Sequence, residues 1–433
     1  MSDAVRVRFA DGPVIADVRV PPSKSVANRA LVCAALADGT SEIRGLAPGD
    51  DTAAMLDGLE RLGCGIAVHE VDGVMVTDVI GTGGAFDADD RRLDARLAGT
   101  TSRFLTALAA LAPGPTTIDG DPPLRARPMG PLHEALLALG ADVEPGEREG
   151  HLPVTVSGPL RGADAIVMPG DISSQYVSAL MMIGPYVAGG VKMWLSSDPV
   201  SRPYLDLTKS VMAAFGVVDV EVEGRRIAVA PDVYGTRTYD VEADASSASY
   251  PLAAAAIVGG AVMVRGLGSS SQQGDQRFVD VLESMGCLVN RGADDTTVMR
   301  RRDTPLRGVD VNMADISDLV PTLAVVATQA VTPTRITGVG FIRAKESDRL
   351  GDLAGELNRA GADVTVDGDG LTIHPRDLLA PTRFGTHHDH RLAMALALLG
   401  LVVEGVEVAD PAVVSKSWPE YWDMLDQLPA RHR

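Results

Sequence analysis

The chain has 433 residues, with 39 Lys plus Arg against 58 Asp plus Glu (39 − 58 = −19), and 45% of the residues are apolar. At roughly 150 residues per domain, that length supports two or three domains with cores of their own and excludes disorder as the main state. The acidic balance excludes a general nucleic-acid or anionic-membrane surface, which needs clustered Lys and Arg, so any anionic ligand must be held locally.

The start, Met1-Ser2-Asp3, lacks the basic stretch and apolar run of a secretory signal, and a cytoplasmic protein is expected. Uncharged apolar runs such as Tyr250 to Val264 and Leu392 to Val403 fall short of the roughly 18 to 20 residues that cross a bilayer. They read as buried elements. Cys33, Cys64 and Cys287 are odd in number and contain no CxxC pair, which disfavours disulfide frameworks and zinc ribbons.

Taken in chain order, the predicted elements begin with a strand, VRVRFA (Val5 to Ala10). Thereafter an amphipathic helix ending in Gly and followed by a β-branched strand recurs. It appears as LERLGCGIAV at Gly63, LLALGADVEP at Gly140, MAAFGVVDVEV at Gly216, LESMGCLVNR at Gly286 and LNRAGADVTV at Gly361, spaced 77, 76, 70 and 75 residues apart. A sixth helix fits WPEYWDMLDQL (Trp418 to Leu428), with no strand after it. The opening strand is the natural candidate to complete that last unit.

Each unit also carries a second helix rich in Ala and Leu: NRALVCAALA, SRFLTALAAL, QYVSALMMIG, ASYPLAAAAIVGG, LVPTLAVVATQA and RLAMALALLGLVV. Helices apolar nearly all round are central helices. Three of them, flanked by strands and outer amphipathic helices, make one domain, and six make two. Dividing points near Pro21-Pro22 and Glu242-Ala243 give an inserted domain, residues 22–242, and a discontinuous one, residues 1–21 plus 243–433. A cleft between two such domains is a common ligand site.

Polar clusters precede or open these central helices: PSKSVANR, AGTTSR, GDISSQ, DASSAS, DISD and HHDHR. Helix N-termini attract anions, although Ser, Thr and Asp also cap helices for structural reasons alone. Neighbouring cations favour the anion reading: Lys24, Arg29, Arg103, Arg127, Lys345, Arg349, Arg391 and Lys416. On so acidic a chain they suggest a substrate with several phosphates or carboxylates.

In SKSVANR, Ser25 can cap the helix that carries Arg29 one turn on, with Lys24 just outside it. In AKESDR, Lys345, Glu346 and Arg349 set two cations around a carboxylate, against the plainer reading of a solvated helix face. Asp318, a lone acid opening an apolar helix, reads in isolation as an N-cap. The cluster His387, His388, Asp389, His390 lacks the i, i+4 spacing of a helical metal pair, so no metal is expected. Cys64 and Cys287 both follow a repeat glycine and read as core positions. No GxxxxGK[ST] or GxGxxG stands at a strand-to-helix junction, which removes the ordinary nucleotide-binding readings.

PSKSVANRAL, LAGTTSR, RARPMG, DISSQY, SRPYLDLT, DASSASYPLAAAAI, QGDQRF, AKESDRL, DHRLAMALAL and SKSWPEY occur in this order. Together they resemble the 5-enolpyruvylshikimate-3-phosphate synthase family over nearly the whole chain. The resemblance implies an α/β (α+β) fold, a two-domain inside-out α/β barrel of six βαβαββ-like units with a cleft between the domains. It implies transfer of the carboxyvinyl group of phosphoenolpyruvate to the 5-hydroxyl of shikimate 3-phosphate, with release of phosphate, in aromatic amino acid biosynthesis. No cofactor is implied. The partners are these two small molecules, with no nucleic acid and no membrane, and a monomer is expected.

Carried over residue by residue, the resemblance places Ser173, Ser174, Gln175, Ser201 and Tyr204, with Ser25 and Arg29, on shikimate 3-phosphate. Arg127, Arg349, Arg391 and Lys416, with Gly99 and Gln175 nearby, would grip phosphoenolpyruvate, whose carboxylate and phosphate suit bidentate guanidinium partners. Lys24 and Lys345 would touch both ligands. Asp318 would act on the 5-hydroxyl, Glu346 would deliver a proton to the methylene carbon, and Lys24 would assist phosphate departure; these duties can be exchanged among the three. His390 is kept as a further candidate. The inserted domain would take the shikimate 3-phosphate side, the discontinuous one the acid–base and phosphoenolpyruvate side.

The chain departs from the common family pattern at Leu97, where an Asn is usual, at Phe104, where a Pro is usual, and at Phe341, where Asn is frequent. One contact to the shikimate ligand is therefore missing or supplied elsewhere. The sister transferase acting on UDP-N-acetylglucosamine has Lys-Asn where this chain has Ser23-Lys24-Ser25, and a loop cysteine that is absent between Phe104 and Arg127. A relative that binds without catalysing is opposed by the joint presence of Lys24, Asp318, Glu346, Arg349 and Lys416.

Overall fold

The five repeat glycines end their helices in one geometry. Gly63, Gly140, Gly216, Gly286 and Gly361 have φ of 103°, 93°, 99°, 105° and 89°. A residue with a Cβ would lose about 1–2 kcal/mol in that left-handed region. At each site the glycine N–H returns to the carbonyl three residues back, as in Gly63 to Glu60 at 2.9 Å, and the next N–H reaches five back, as in Cys64 to Leu59 at 3.1 Å. This pair of bonds is the Schellman motif. It stops the helix and turns the chain into the following strand.

The computed structural model describes residues 3–47, 49–87 and 89–428. Two compact units divide the chain: Pro22–Glu242, and Met1–Pro21 together with Ala243–Arg433. Each has its own hydrophobic core. In the first unit the helices Lys24–Leu36, Gly99–Ala109 and Ser174–Ile183 pack on one another. In the second, Val320–Ala327 packs on Ala245–Val258 and on His390–Ala397. Ala and Leu supply both helix propensity and the small surface that lets central helices approach closely. Ala27, Ala30, Leu31, Leu323 and Leu396 are fully buried. Cutting Leu323 back to Ala would leave a cavity costing about 2–5 kcal/mol.

Four of the six central helices are capped by a side chain: Ser23 to Val26 N, Ser173 to Gln175 N, Asp244 to Ser246 N and Asp389 to Arg391 N. The cap of the first is Ser23 rather than Ser25, because the helix begins two residues earlier and takes Lys24 and Ser25 into it. The Gly99 and Val320 helices follow Ala98 and Leu319, with no side-chain cap. Asp318 is therefore not an N-cap.

Among the described residues, five sheets have four strands and one has three. The middle repeat of the first unit shows the plan. Arg91–Asp94 runs parallel to Thr116–Asp119, across the central helix, and the hairpin of Asp142–Pro145 and Val154–Ser157 adds antiparallel to the latter. Two strands exchange partners. Val14–Arg19 precedes the Lys24 helix but pairs with Gly260–Arg265, whereas Thr238–Asp240 precedes the Ala245 helix but pairs with Asp38–Arg44.

In the sixth sheet Arg383–Phe384 is parallel to Glu407–Ala409, and Ala4–Arg6 pairs antiparallel with that central strand. The opening strand thus fills the slot beside the central strand, not the outer slot that follows the last helix. An open edge on Glu407–Ala409 would leave backbone groups unpaired next to the core, and this pairing removes it. Val7 N and Ala10 N extend the seam to Val406 O and Leu401 O, both at 3.0 Å. Among the described residues no helix is long and apolar enough to cross a membrane.

Candidate active site

In the discontinuous unit, six sequence-predicted residues form one charged network. The turn Gly340–Ala344 leads into Lys345, Glu346 and Arg349, while Asp318 closes the turn before the Val320 helix. Arg391 comes from the first turn of the last central helix and Lys416 from the turn Pro411–Lys416. Arg349 donates through Nη1 to Asp318 at 2.9 Å, through Nη2 to Glu346 at 2.7 Å and through Nε to Asp389 at 2.7 Å. Arg391 Nη2 reaches the other Asp318 oxygen at 2.9 Å, Lys345 Nζ stands 3.8 Å from Asp318, and Lys416 Nζ reaches Glu346 at 3.2 Å. Four cations face three carboxylates, so the network keeps one positive charge of its own.

Burial makes these charges count. Burial alone would push the Asp318 carboxyl up, but Arg391, Lys345 and Arg349 hold it well below the usual carboxylate range. Desolvation works against the Arg349 charge, and Asp389, Glu346 and Asp318 more than restore it, so its pKa is raised.

Sequence reasoning missed Asp389 as a member of this network. The residue is an N-cap, as its position suggests, and its second oxygen carries Arg349; the cap pattern signalled only the first role. His387 and His388, which precede Asp389, hold left-handed φ of 50° and 57°. The histidines themselves diverge: His387 lies 3.0 Å from Glu356 and His388 3.7 Å from Asp410. His390 is buried, with Nδ1 at 3.9 Å from Asp389.

In the inserted unit, Lys24 forms a 2.7 Å ion pair with Asp51, a partner that sequence spacing did not reveal. Arg29 is fully buried and lies between the rings of Phe104, at 5.5 Å, and Tyr204, at 5.6 Å. It donates to Thr208, to Ser178 and to the carbonyls of Ser25 and Tyr204, tying both of those residues to one point. Burial brings its pKa down to about 10, so it remains cationic. A Cβ on Gly99 would stand 2.8 Å from Arg127 Nη1 and 2.5 Å from Arg103 Nη1, so a side chain there would displace those guanidinium groups. Ser173, Ser174 and Gln175 start one helix, and Ser201 and Tyr204 the adjoining one. Ser201 has φ of 52°, a strained conformation of the kind that functional positions retain.

A family model described as EPSP synthase (3-phosphoshikimate 1-carboxyvinyltransferase) matches residues 10–425. The chain belongs to the EPSP synthase family. A 3-phosphoshikimate 1-carboxyvinyltransferase of Methanosphaerula palustris is 43% identical over 96% of this chain and 97% of its own, and that of Methanoculleus marisnigri is 44% identical over the same shares. The Nostoc relative of the same name is 38% identical over 97% and 98%. Among solved structures, EPSP synthase from Acinetobacter baumannii superposes with a TM-score of 0.81 at 25% identity, covering 98% of this chain and 97% of that one.

Two of the three departures from the common EPSP synthase pattern sit against cations of the predicted site. Phe104 faces Arg29, and the Phe341 ring lies 5.8 Å from Lys345 Nζ. Aromatic faces hold such cations without neutralising them.

Proposed function

We infer that the chain transfers the carboxyvinyl group of phosphoenolpyruvate to the 5-hydroxyl of shikimate 3-phosphate and releases phosphate, as 3-phosphoshikimate 1-carboxyvinyltransferases of the shikimate pathway do. The observation that carries this reading is the partly buried network of Asp318, Lys345, Glu346, Arg349, Arg391 and Lys416, with Arg349 at its buried centre. It joins guanidinium forks suited to a carboxylate and a phosphate with two carboxylates able to move protons.

The chemistry is addition followed by elimination. The 5-hydroxyl oxygen bonds to C2 of phosphoenolpyruvate while C3 gains a proton, which gives a tetrahedral ketal. The C2–O bond to phosphate then breaks as C3 loses a proton, restoring the vinyl group. Asp318 takes the hydroxyl proton, Glu346 supplies and removes the proton at C3, and Lys24 assists the departing phosphate. An Asp318 held so firmly ionised is a weak base at first. Ligand anions compete for Arg391, Arg349 and Lys345, weaken their hold on Asp318, and so raise its proton affinity when the substrates are in place.

Ser25, Arg29, Ser173, Ser174, Gln175, Ser201 and Tyr204 hold shikimate 3-phosphate, so the inserted unit takes that ligand. Gly99, Arg127, Gln175, Arg349, Arg391 and Lys416 hold phosphoenolpyruvate, with Lys24 and Lys345 serving both. His390, whose Nδ1 lies 3.9 Å from Asp389, steadies that carboxylate. The protein acts as a cytoplasmic monomer, for which light scattering and cell fractionation are the checks. Phosphate release from phosphoenolpyruvate tests the main reading. Release that requires shikimate 3-phosphate supports it; release with UDP-N-acetylglucosamine instead, or with neither acceptor, overturns it.

A further inference from the structure

The segment Gln273-Gly274-Asp275-Gln276-Arg277-Phe278 has no part in the assignments above, yet it carries a carboxyl only 4% exposed, that of Asp275. The turn Gly274–Arg277 packs against the start of the Ala245 helix and against the turn Ala314–Leu319. Gln273 binds the helix start from both sides, accepting from Ala245 N at 3.1 Å and donating to Ala243 O at 2.7 Å. Ser246, in the first turn of that helix, donates its hydroxyl to Asp275. Arg277 bridges to Asp315 at 3.2 Å, which fixes the turn carrying Asp275 to the turn carrying Asp318.

The charged groups around Asp275 come from every element on it. Asp244 caps the Ala245 helix, Asp315 and Asp318 belong to the facing turn, and Arg391 enters from the last central helix. On the succeeding helix Phe278–Ser284, Asp280 and Glu283 are turned to Arg291. Asp275 therefore senses Asp318 and Arg391, the acid and one of the cations assigned to the reaction. Burial first, and the Asp318 charge second, push its carboxyl up to about 6, while the Ser246 hydroxyl opposes them.

We propose that Asp275 is a positioning residue for this reaction: anchored by Ser246, its carboxylate sets a second negative charge against the Asp318–Arg391 pair and makes Asp318 the stronger base. Electrostatic coupling is reciprocal, so a charge that raises the proton affinity of Asp275 has its own raised in return. The proposal rests on the functional reading above and adds a residue to it. Ionisation of Asp275 then governs the acid limb of turnover, and loss of the Ser246 bond displaces that limb without removing it.

The test is kcat and KM from pH 5 to 9 for the parent, D275N and S246A. In D275N the acid limb flattens and kcat at pH 7.5 falls about tenfold, with both KM values within about twofold of the parent. In S246A the limb moves to higher pH by about one unit, and the plateau above it is unchanged. The substrate phosphates also titrate near pH 6, but they do so alike for all three proteins. A parent that turns over while both variants superimpose on its profile, or a D275N that changes KM alone, overturns this proposal and leaves the functional reading intact. A parent without turnover removes both. Should D275N fail to fold, the displaced limb of S246A decides the matter.

Discussion

Arg349 Nε donates to Asp389 Oδ2 at 2.7 Å, joining side chains that are 1% and 0% exposed. The same guanidinium also serves Asp318 and Glu346, so three carboxylates depend on one planar fork.

Arg349→Lys keeps the charge and loses the fork. A single ammonium cannot reach all three carboxylates, and a carboxylate left buried without its partner costs about 3–5 kcal/mol. Urea unfolding should register a loss of that order, together with a fall in kcat/KM of at least about 100-fold. A variant with parental stability and activity would show that the network is not organised around Arg349.

Substrate binding should consume protons. The network carries one net positive charge, and phosphoenolpyruvate with shikimate 3-phosphate brings several negative ones. Calorimetric titration of phosphoenolpyruvate into the protein with shikimate 3-phosphate, in buffers of different ionisation enthalpy, should show net uptake near neutral pH. Asp318→Asn should reduce that uptake and lower kcat by about 10²–10⁴. Binding without proton uptake would contradict competition for the Asp318 cations.

Asp275 and Asp318 affect stability with opposite signs. Asp275 has its folded pKa raised to about 6, so the folded state binds more protons than the unfolded one between about pH 4 and 6, and stability falls as pH rises through that window. The full effect is up to about 3 kcal/mol. Asp318 is depressed, so its contribution is present above about pH 4 and is lost as pH falls further. Asp275→Asn keeps a carbonyl for Ser246 and should unfold at higher urea than the parent at pH 7.5, the advantage vanishing toward pH 4. Equal stability across that range would contradict the burial argument.

Phe341 lies under Lys345, and Phe341→Leu removes the ring's electrostatic face while keeping an apolar side chain. The contact is worth about 0.5–2 kcal/mol, so KM for shikimate 3-phosphate should rise about two- to thirtyfold, while Phe341→Tyr retains parental behaviour. An unchanged KM in the leucine variant would make Phe341 a filler.

Much of this was legible in the sequence, for local reasons. A glycine after an amphipathic helix specifies a left-handed stop by itself, and all five repeat glycines close the same motif. The six charged residues of the discontinuous unit were identified from their motifs, each adjoining a central-helix start or a connecting turn. The partner exchange of Val14–Arg19 and Thr238–Asp240 was not legible, because strand pairing across 246 and 196 residues leaves no trace in spacing. Nor was the slot taken by Ala4–Arg6. Asp51 and Asp389 were missed because an acid in the first turn of a helix or at its cap reads as a dipole partner or a cap, and nothing in its neighbours shows the cation arriving from another element.

The most direct test runs the reaction in D₂O and examines the transferred methylene by mass spectrometry. Protonation at C3 creates a methyl group whose hydrogens become equivalent, so elimination must leave deuterium in the vinyl group of the product. The account predicts that label only when phosphoenolpyruvate and shikimate 3-phosphate are both present, and its loss with Glu346→Gln. A carboxyvinyl product free of deuterium, or none at all with shikimate 3-phosphate as acceptor, would contradict it.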